Sequence, residues 1–175
     1  NRLASDGATV AVTYSQSKEK ADALVAEIKR NGGSALAIRA DNRDPGAVEA
    51  AVKSVAEKHG RIDILVNNAG IFDAGTIDEV TAEDFDRTID VNVKAVFLAT
   101  RGAAAHMPDG GRVITIGSNL AARVPWPGMS LYVLSKSALI GFTKAVARDL
   151  GPKGITVNIV HPGSTDTDMN PANGD

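Results

Sequence analysis

The sequence predicts one α/β domain built on a doubly wound parallel sheet. Five short apolar runs alternate along the chain with segments of helical periodicity. Most of these runs lack the polar alternation of a strand with one solvated face, so helices should cover both faces of the sheet. A length of 175 residues with 43% hydrophobic residues fits one domain with a real core. We therefore assign residues 1–175 to a single domain.

The predicted strands are short and rich in aliphatic residues, many of them β-branched. In chain order they are ATVAVTY at 8–14, ALAIRAD at 35–41, IDILV at 62–66, GRVITIG at 111–117 and ITVNIV at 155–160.

The first two helical segments are recognised mainly by how they end. NRLASDG at 1–7 is typical of the last turn of a helix that closes on Gly7, with no helix start before it. The next helix can be capped by Ser15 or Ser17 and ends at the glycine pair 32–33. Its apolar residues recur at helical spacing: Ala21, Leu24, Val25 and Ile28.

The later helices have clearer boundary signals. Asp44 is a candidate N-cap with Pro45 at the first helical position. Thr81 followed by Asp84 is close to a capping box, and Gly151 stops the last helix. These helices are predicted over residues 45–59, 81–100 and 130–150.

All predicted strands finish in small, polar or turn-forming residues. In a doubly wound sheet, ligands bind beyond the carboxyl ends of the strands. Turn formation alone explains one or two such endings, whereas five at one edge predict a binding site. The endings are Tyr14-Ser15, Asp41-Asn42, Asn67-Asn68-Ala69-Gly70, Gly117-Ser118 and His161-Pro162-Gly163.

Composition excludes several classes of protein. A net charge of −2 with scattered Lys and Arg gives no nucleic-acid footprint. Without Cys there is neither a disulfide framework nor a thiolate metal site, and a reducing compartment is compatible. No apolar run approaches the roughly 20 residues that cross a bilayer. We expect no metal, no membrane partner and a cytoplasmic location.

Tyr132 and Lys136, in the sequence YVLSK, lie one turn apart on one face of a predicted helix. Alone, this pair is more often an ordinary surface feature. Together with other motifs in matching order, it resembles the short-chain dehydrogenase/reductase family, and within it the 3-oxoacyl-acyl-carrier-protein reductases. The resemblance covers nearly the whole chain. The other motifs are NNAG at 67–70, VNVKAVF around Asn92, GS at 117–118 and HPGSTDTDM at 161–169.

The resemblance implies a catalytic set. Tyr132 would be the general acid that protonates the substrate carbonyl oxygen, and Lys136 would stabilise the phenolate and hold the nicotinamide ribose. Ser118 would bond the substrate oxygen, and Asn92 would bind a relay water through its backbone. The alternative for Asn92 is a mid-helix polar residue that causes a local kink, which the functional interpretation also requires. The family commonly places its serine one residue nearer the tyrosine, where Asn119 stands. We favour Ser118 because GRVITIGS aligns without a gap.

The resemblance also implies a Rossmann-like dinucleotide site. Asp41, next to Asn42, would accept the adenine amino hydrogen, while Asn68, Ala69 and Gly70 would line the adenosine ribose. The nicotinamide would be held by Tyr132, Lys136 and the segment containing Pro162, Gly163, Thr165 and Thr167. Residues 164–166 could equally be ordinary turn or capping residues.

The stretch VTYSQSK favours NADP(H) over NAD(H). An NAD-selective site usually has a carboxylate here, and none occurs before Glu19. A 2′-phosphate would instead meet the hydroxyls of Ser15 and Ser17 and the charge of Lys18.

The leading interpretation is an NADPH-dependent reductase of ketones or 3-oxoacyl thioesters. The alternatives are a non-catalytic nucleotide-binding or sensory protein on this scaffold, and, less favoured, an assembly module. Family members pair through the helices here predicted at 81–100 and 130–150, so we expect a homodimer or homotetramer. Trp126, Met129 and Leu131 are compatible with an apolar pocket wall or with core packing.

We also expect further residues at both ends of the polypeptide. The family opens with a strand and a glycine-rich turn that leads into a helix, and this chain starts where that helix ends. The additional strand would lie between strands 8–14 and 62–66. A final strand and a substrate lid would follow residue 175.

Overall fold

The structure consists of parallel strands flanked by helices. It is a computed structural model that describes residues 1–167 and 169–171. The strands are β1 (Thr9–Tyr14), β2 (Ser34–Arg39), β3 (Ile64–Asn67), β4 (Arg112–Ile116) and β5 (Thr156–Val160). The helices are α1 (Arg2–Ser5), α2 (Lys18–Arg30), α3 (Pro45–His59), α4 (Ala82–Ile89), α5 (Ala95–Ala104) and α6 (Ser130–Leu150). A π-helical turn, Asp90–Lys94, joins α4 to α5, and 3₁₀ turns cover Asn119–Ala121 and Gly151–Lys153.

The strands form two parallel sheets. In the first, β1 pairs with β2, so that Tyr14 lies opposite Arg39. The second has the order β3-β4-β5. Within residues 1–167 and 169–171, β1 and β3 do not pair with each other, and each has an unpaired edge.

The predicted helix boundaries are largely confirmed. The Asp44 carboxylate accepts hydrogen bonds from the backbone N–H groups of Gly46 (2.9 Å) and Ala47 (3.3 Å). Thr81 and Asp84 form a complete capping box. At α2, Ser17 occupies the N-cap position, but its side chain makes no capping hydrogen bond. The start of α2 therefore depends on backbone geometry and packing.

The predicted helix over residues 81–100 is divided into two. α4 ends at Ile89, the π-helical turn intervenes, and α5 continues to Ala104. The kink that the sequence suggests at Asn92 is therefore a widened turn of five residues. Such turns occur mainly as single insertions in α-helices and frequently at functional sites.

The main core fixes the second sheet against its helices. Ala103 is fully buried, and Val113 of β4 and Ile155 before β5 are 1% and 2% exposed. They pack with Ala56 of α3 and with partly buried residues of α6 such as Val146. A smaller cluster of Ala4, Ile28 and Ala35 packs beside the first sheet. In the described part of the chain, no helix is both long and apolar enough to cross a membrane.

Candidate active site

Asn92 lies at the centre of the candidate site. It belongs to the π-helical turn, and its side chain is fully buried. Its Oδ1 accepts a hydrogen bond from the Ile71 backbone N–H (2.8 Å), and its Nδ2 donates to the Ile71 carbonyl oxygen (3.0 Å). The same Nδ2 donates to Ser135 Oγ (3.0 Å). Asn92 therefore joins the π-helical turn to α6 and to the segment that follows β3.

Tyr132 and Lys136 lie on α6, as the sequence predicts. The Lys136 side chain is buried, and its Nζ lies 5.7 Å from the centroid of the Tyr132 ring. Lys136 Nζ donates to the Ile116 carbonyl oxygen (2.9 Å) at the end of β4. Burial lowers the pKa of Lys136, because a charged group loses hydration inside the protein. The other face of the site is formed by Phe72, whose ring meets the Tyr132 ring edge-on at 4.9 Å.

Gly70 lies beside the lysine ammonium, where a Cβ atom would be crowded. A Cβ atom at this position would lie 3.2 Å from Asn92 Oδ1 and 3.4 Å from Lys136 Nζ. A larger side chain would therefore crowd both groups. The absence of a side chain at Gly70 therefore lets the segment after β3 pack closely against Asn92 and Lys136.

Ser118 follows β4 and is buried. Its Oγ accepts a hydrogen bond from the Leu120 backbone N–H (3.1 Å), so its proton can be donated elsewhere. The backbone of Ser118 contacts His161: Nδ1 lies 3.2 Å from Ser118 N and 2.9 Å from Ser118 O, and the imidazole tautomer decides which bond forms. Asn119 is exposed and donates from its backbone to the Pro162 carbonyl oxygen (3.0 Å).

Asp41 lies at the end of the first sheet with Asn42 beside it, both partly buried. The Arg43 guanidinium binds both carboxylate oxygens of Asp41, with Nη2 to Oδ2 at 2.7 Å. Hydrogen bonds from the Arg43 side chain and backbone lower the pKa of Asp41 to about 2. Asp41 is therefore a fixed anion at neutral pH, which suits a hydrogen-bond acceptor.

Comparison with known proteins identifies the family. The model of the short chain dehydrogenase family matches residues 1–175. The chain belongs to this family.

Several relatives illustrate the match. A protein of Escherichia coli (strain K12) named cyclic-di-GMP-binding biofilm dispersal mediator protein is 46% identical over 99% of this chain and 69% of its own length. A 3-oxoacyl-(acyl-carrier-protein) reductase of Synechocystis is 43% identical over 95% of this chain and 68% of that protein. The crystal structure of a short chain dehydrogenase from Burkholderia cenocepacia in complex with NADP is 62% identical. It matches with a TM-score of 0.97 over 99% of this chain and 71% of that one.

These comparisons confirm the resemblance and the fold predicted from the sequence. The chain spans 62 to 70% of the length of the curated relatives that it matches.

The remaining predicted cofactor residues lie at the strand ends and are more exposed. Ser15 is exposed after β1, while Asn68 and Ala69 are exposed after β3. Lys18 forms an ion pair with Asp22, which raises its pKa. The charge of Lys18 is therefore already compensated, and the hydroxyl of Ser15 is the simpler phosphate contact.

The segment after β5 makes mostly local contacts. Thr165 Oγ1 donates to the Gly163 carbonyl oxygen (3.1 Å), and Thr167 exchanges backbone hydrogen bonds with Asn170. Pro162 is partly buried, whereas Gly163, Thr165 and Thr167 are exposed. Within the HPGSTDTDM motif, Asp168 lies outside the described residues. The Thr165 hydroxyl therefore bonds within a local turn, which is the role that the alternative interpretation gives to residues 164–166.

Three residues shape this site through contacts that the sequence did not predict, although His161 is one of the strand endings noted above. Ser135 is fully buried between Asn92 and Tyr132, Phe72 packs on Tyr132, and His161 contacts Ser118. Ser135 stands three residues after Tyr132, a spacing at which a helical serine can bond the preceding turn. The contacts of Phe72 with Tyr132 and of His161 with Ser118 have no comparable local signal, because they join distant parts of the chain.

Proposed function

We propose that the protein is an NADPH-dependent carbonyl reductase that acts on ketones or 3-oxoacyl thioesters. The observation that supports this most directly is the buried Lys136 ammonium beside the Tyr132 phenol, with the π-helical turn of Asn92 next to α6. A protein that only bound a nucleotide would have no need of a phenol supported by a buried cation.

In this proposal each residue of the site has a distinct role. Tyr132 donates its phenolic proton to the substrate oxygen, and Lys136 stabilises the resulting phenolate electrostatically. Ser118 donates a hydrogen bond from its hydroxyl to the same substrate oxygen as negative charge develops there. The backbone of Asn92 holds a water that returns a proton to Lys136 from solvent.

The cofactor residues are also part of the proposal. When bound, NADPH supplies the hydride that reduces the carbonyl carbon. The buried Lys136 ammonium would hold the nicotinamide ribose, while Asn68, Ala69 and Gly70 would line the adenosine ribose. Asp41 and Asn42 would hold the adenine, Ser15 the 2′-phosphate, and Pro162, Gly163, Thr165 and Thr167 the nicotinamide carboxamide. NADP in the Burkholderia relative supports the phosphate preference.

Substitution of Tyr132 by Phe tests this function. The variant should turn over a panel of ketones and 3-oxoacyl esters about a hundredfold more slowly or worse, because the proton donor is lost. NADPH should still bind, because Lys136 and the other proposed cofactor residues are unchanged. NADPH absorbance and fluorescence report the two quantities. Turnover within a factor of a few of wild type would remove Tyr132 from the mechanism.

A non-catalytic nucleotide sensor is the second candidate. The name of the Escherichia coli relative refers to cyclic-di-GMP binding. Calorimetric titration with cyclic-di-GMP, alongside the reductase assay, separates the two functions. Tight binding of this dinucleotide without NADPH oxidation on any carbonyl would favour the sensor.

We further propose that two or four copies assemble through α4, α5 and α6. Phe85, Phe97 and Leu134 on these helices are 41%, 43% and 45% exposed. Burying such apolar side chains would favour association. Sedimentation velocity measures the oligomeric state, and a monomer at micromolar concentration would contradict the proposal. A cytoplasmic location also remains a proposal.

A further inference from the structure

We propose that Ser135 is a positioning residue, which holds the π-helical turn of Asn92 in register with Tyr132 and Lys136. This inference rests on the proposed reductase function, because its consequence is a correctly placed proton donor.

The first step is the hydrogen bonding of the serine itself. Ser135 is fully buried, and its Oγ donates to the Tyr132 carbonyl oxygen (2.7 Å) one turn earlier on α6. The hydroxyl has a single proton, and this bond uses it. Ser135 Oγ can therefore act only as an acceptor toward Asn92, whose Nδ2 lies 3.0 Å away.

The second step is the state of Asn92. An asparagine amide has two N–H donors and a carbonyl acceptor. Both donors are used, one by the Ile71 carbonyl oxygen and one by Ser135, and Oδ1 accepts from the Ile71 backbone N–H. Every hydrogen bond in this buried group therefore has a defined direction. Removal of the Ser135 hydroxyl would leave one donor of the fully buried Asn92 side chain without its partner.

The third step connects this group to the chemistry. Ser135 is adjacent in sequence to Lys136, and Ile71 is adjacent to Gly70, which lies next to the Lys136 ammonium. The hydroxyl thus links α6, the π-helical turn and the segment after β3 around one ammonium group. A buried donor without a partner is costly, so the three segments should shift until Asn92 Nδ2 finds another acceptor. Small displacements of aligned reacting groups reduce rates strongly.

Ser137 provides a matched control on the same helix. It is only partly buried, and its Oγ lies 3.4 Å from the Ala121 carbonyl oxygen, outside the Asn92 group. Ser135→Ala and Ser137→Ala remove the same atom from the same helix. A general effect of serine removal on α6 would appear in both variants.

The experiment compares steady-state kinetics of the two variants across pH, with NADPH and a ketone substrate of the wild-type enzyme. We expect Ser135→Ala to lower kcat about tenfold to a hundredfold, with KM changed by less than about threefold, since alignment and not substrate binding is lost. The pH at which kcat reaches half its maximum should also move. Ser137→Ala should stay within about twofold of wild type. Equal kcat values and pH profiles for the two variants would overturn the proposal.

Two further measurements keep the inference separate from the proposed function. If the wild type reduces no carbonyl, the reductase proposal fails, and Ser135 is judged by hydrogen exchange at the Ile71 amide. Faster exchange in Ser135→Ala than in Ser137→Ala supports the positioning role, and equal exchange overturns it. If Ser135→Ala does not fold, Ser135→Cys replaces it in the same assays, because a thiol weakens both hydrogen bonds while filling the site.

Discussion

Lys136 combines a proposed catalytic role with a cost to the stability of the fold. Its ammonium is buried, and burial lowers its pKa because the charged form loses hydration. The oxygen that binds Nζ belongs to the neutral Ile116 carbonyl and not to a carboxylate. Paired buried charges are the usual arrangement, so an ammonium on a neutral partner costs free energy of folding.

Lys136→Met should therefore stabilise the fold while abolishing activity. The pKa of Lys136 is lower in the folded than in the unfolded protein, so the unfolded chain binds the proton more tightly. The penalty is fully present below the folded pKa and disappears as the pH rises to the ordinary pKa of lysine, about 10.4. We expect the variant to melt a few degrees higher at neutral pH, with a smaller gain at about pH 10, where the unfolded lysine begins to lose its proton.

Thermal melts of both proteins across pH, with NADPH titrations, test this prediction. The variant should lose turnover and bind NADPH more weakly, because the proposed ribose contact is absent. A lower melting temperature at neutral pH would show that the ammonium stabilises the fold. Unchanged NADPH affinity would contradict the ribose role.

The contacts of single residues also show what could and could not be predicted from the sequence. Tyr132, Lys136 and Asn92 could be proposed from their motifs, and the structure brings them to adjacent segments. The contacts of Ser135 with Asn92, and of His161 with Ser118, each span 43 positions in the chain. Such contacts depend on how helices and strands pack, which local spacing does not encode.

The π-helical turn between α4 and α5 is the element whose structure differs most clearly from the prediction made from the local sequence pattern. The capping box at Thr81 and the N-cap at Asp44 follow from nearby residues, and both are present. The sequence predicts a continuous helix over 81–100 with a kink at most. The widened turn is explained by Asn92, whose three hydrogen bonds to Ile71 and Ser135 require a particular position of the side chain.

Asn92→Ala should destabilise the protein. The change leaves the Ile71 backbone N–H and carbonyl groups without their side-chain partner, and unpaired buried polar groups cost about 1–3 kcal/mol each. We expect the free energy of unfolding to fall by about 3 kcal/mol. Chemical denaturation measures the loss, and Asn158→Ala, at an exposed position of β5, is the control. Equal effects of the two substitutions would mean that Asn92 does not hold the turn.

For the whole molecule, the two sheets have different parts in the proposed cofactor site. The first sheet ends in Ser15 and Asp41, on the adenosine side. The second sheet, with α6, provides Ser118, Tyr132 and Lys136 on the nicotinamide side. Between β1 and β3 there is no strand pairing in the part of the chain that the structure describes. A dinucleotide that contacts both sheets would therefore stabilise the molecule as a unit.

This arrangement predicts that NADPH raises the melting temperature more than NADH at equal concentration. A ligand stabilises the folded state according to its concentration relative to Kd, and the 2′-phosphate should lower Kd through the Ser15 hydroxyl. Ser15→Asp places a negative charge beside that phosphate, so the advantage of NADPH should disappear or reverse. Ser34→Asp adds the same charge at the opposite end of the first sheet, where Ser34 pairs with Thr9, and should leave the advantage intact. Equal shifts of the melting temperature by NADH and NADPH in the wild type would refute the phosphate preference. If both variants lost the NADPH advantage equally, the effect would come from net charge and not from the position of Ser15.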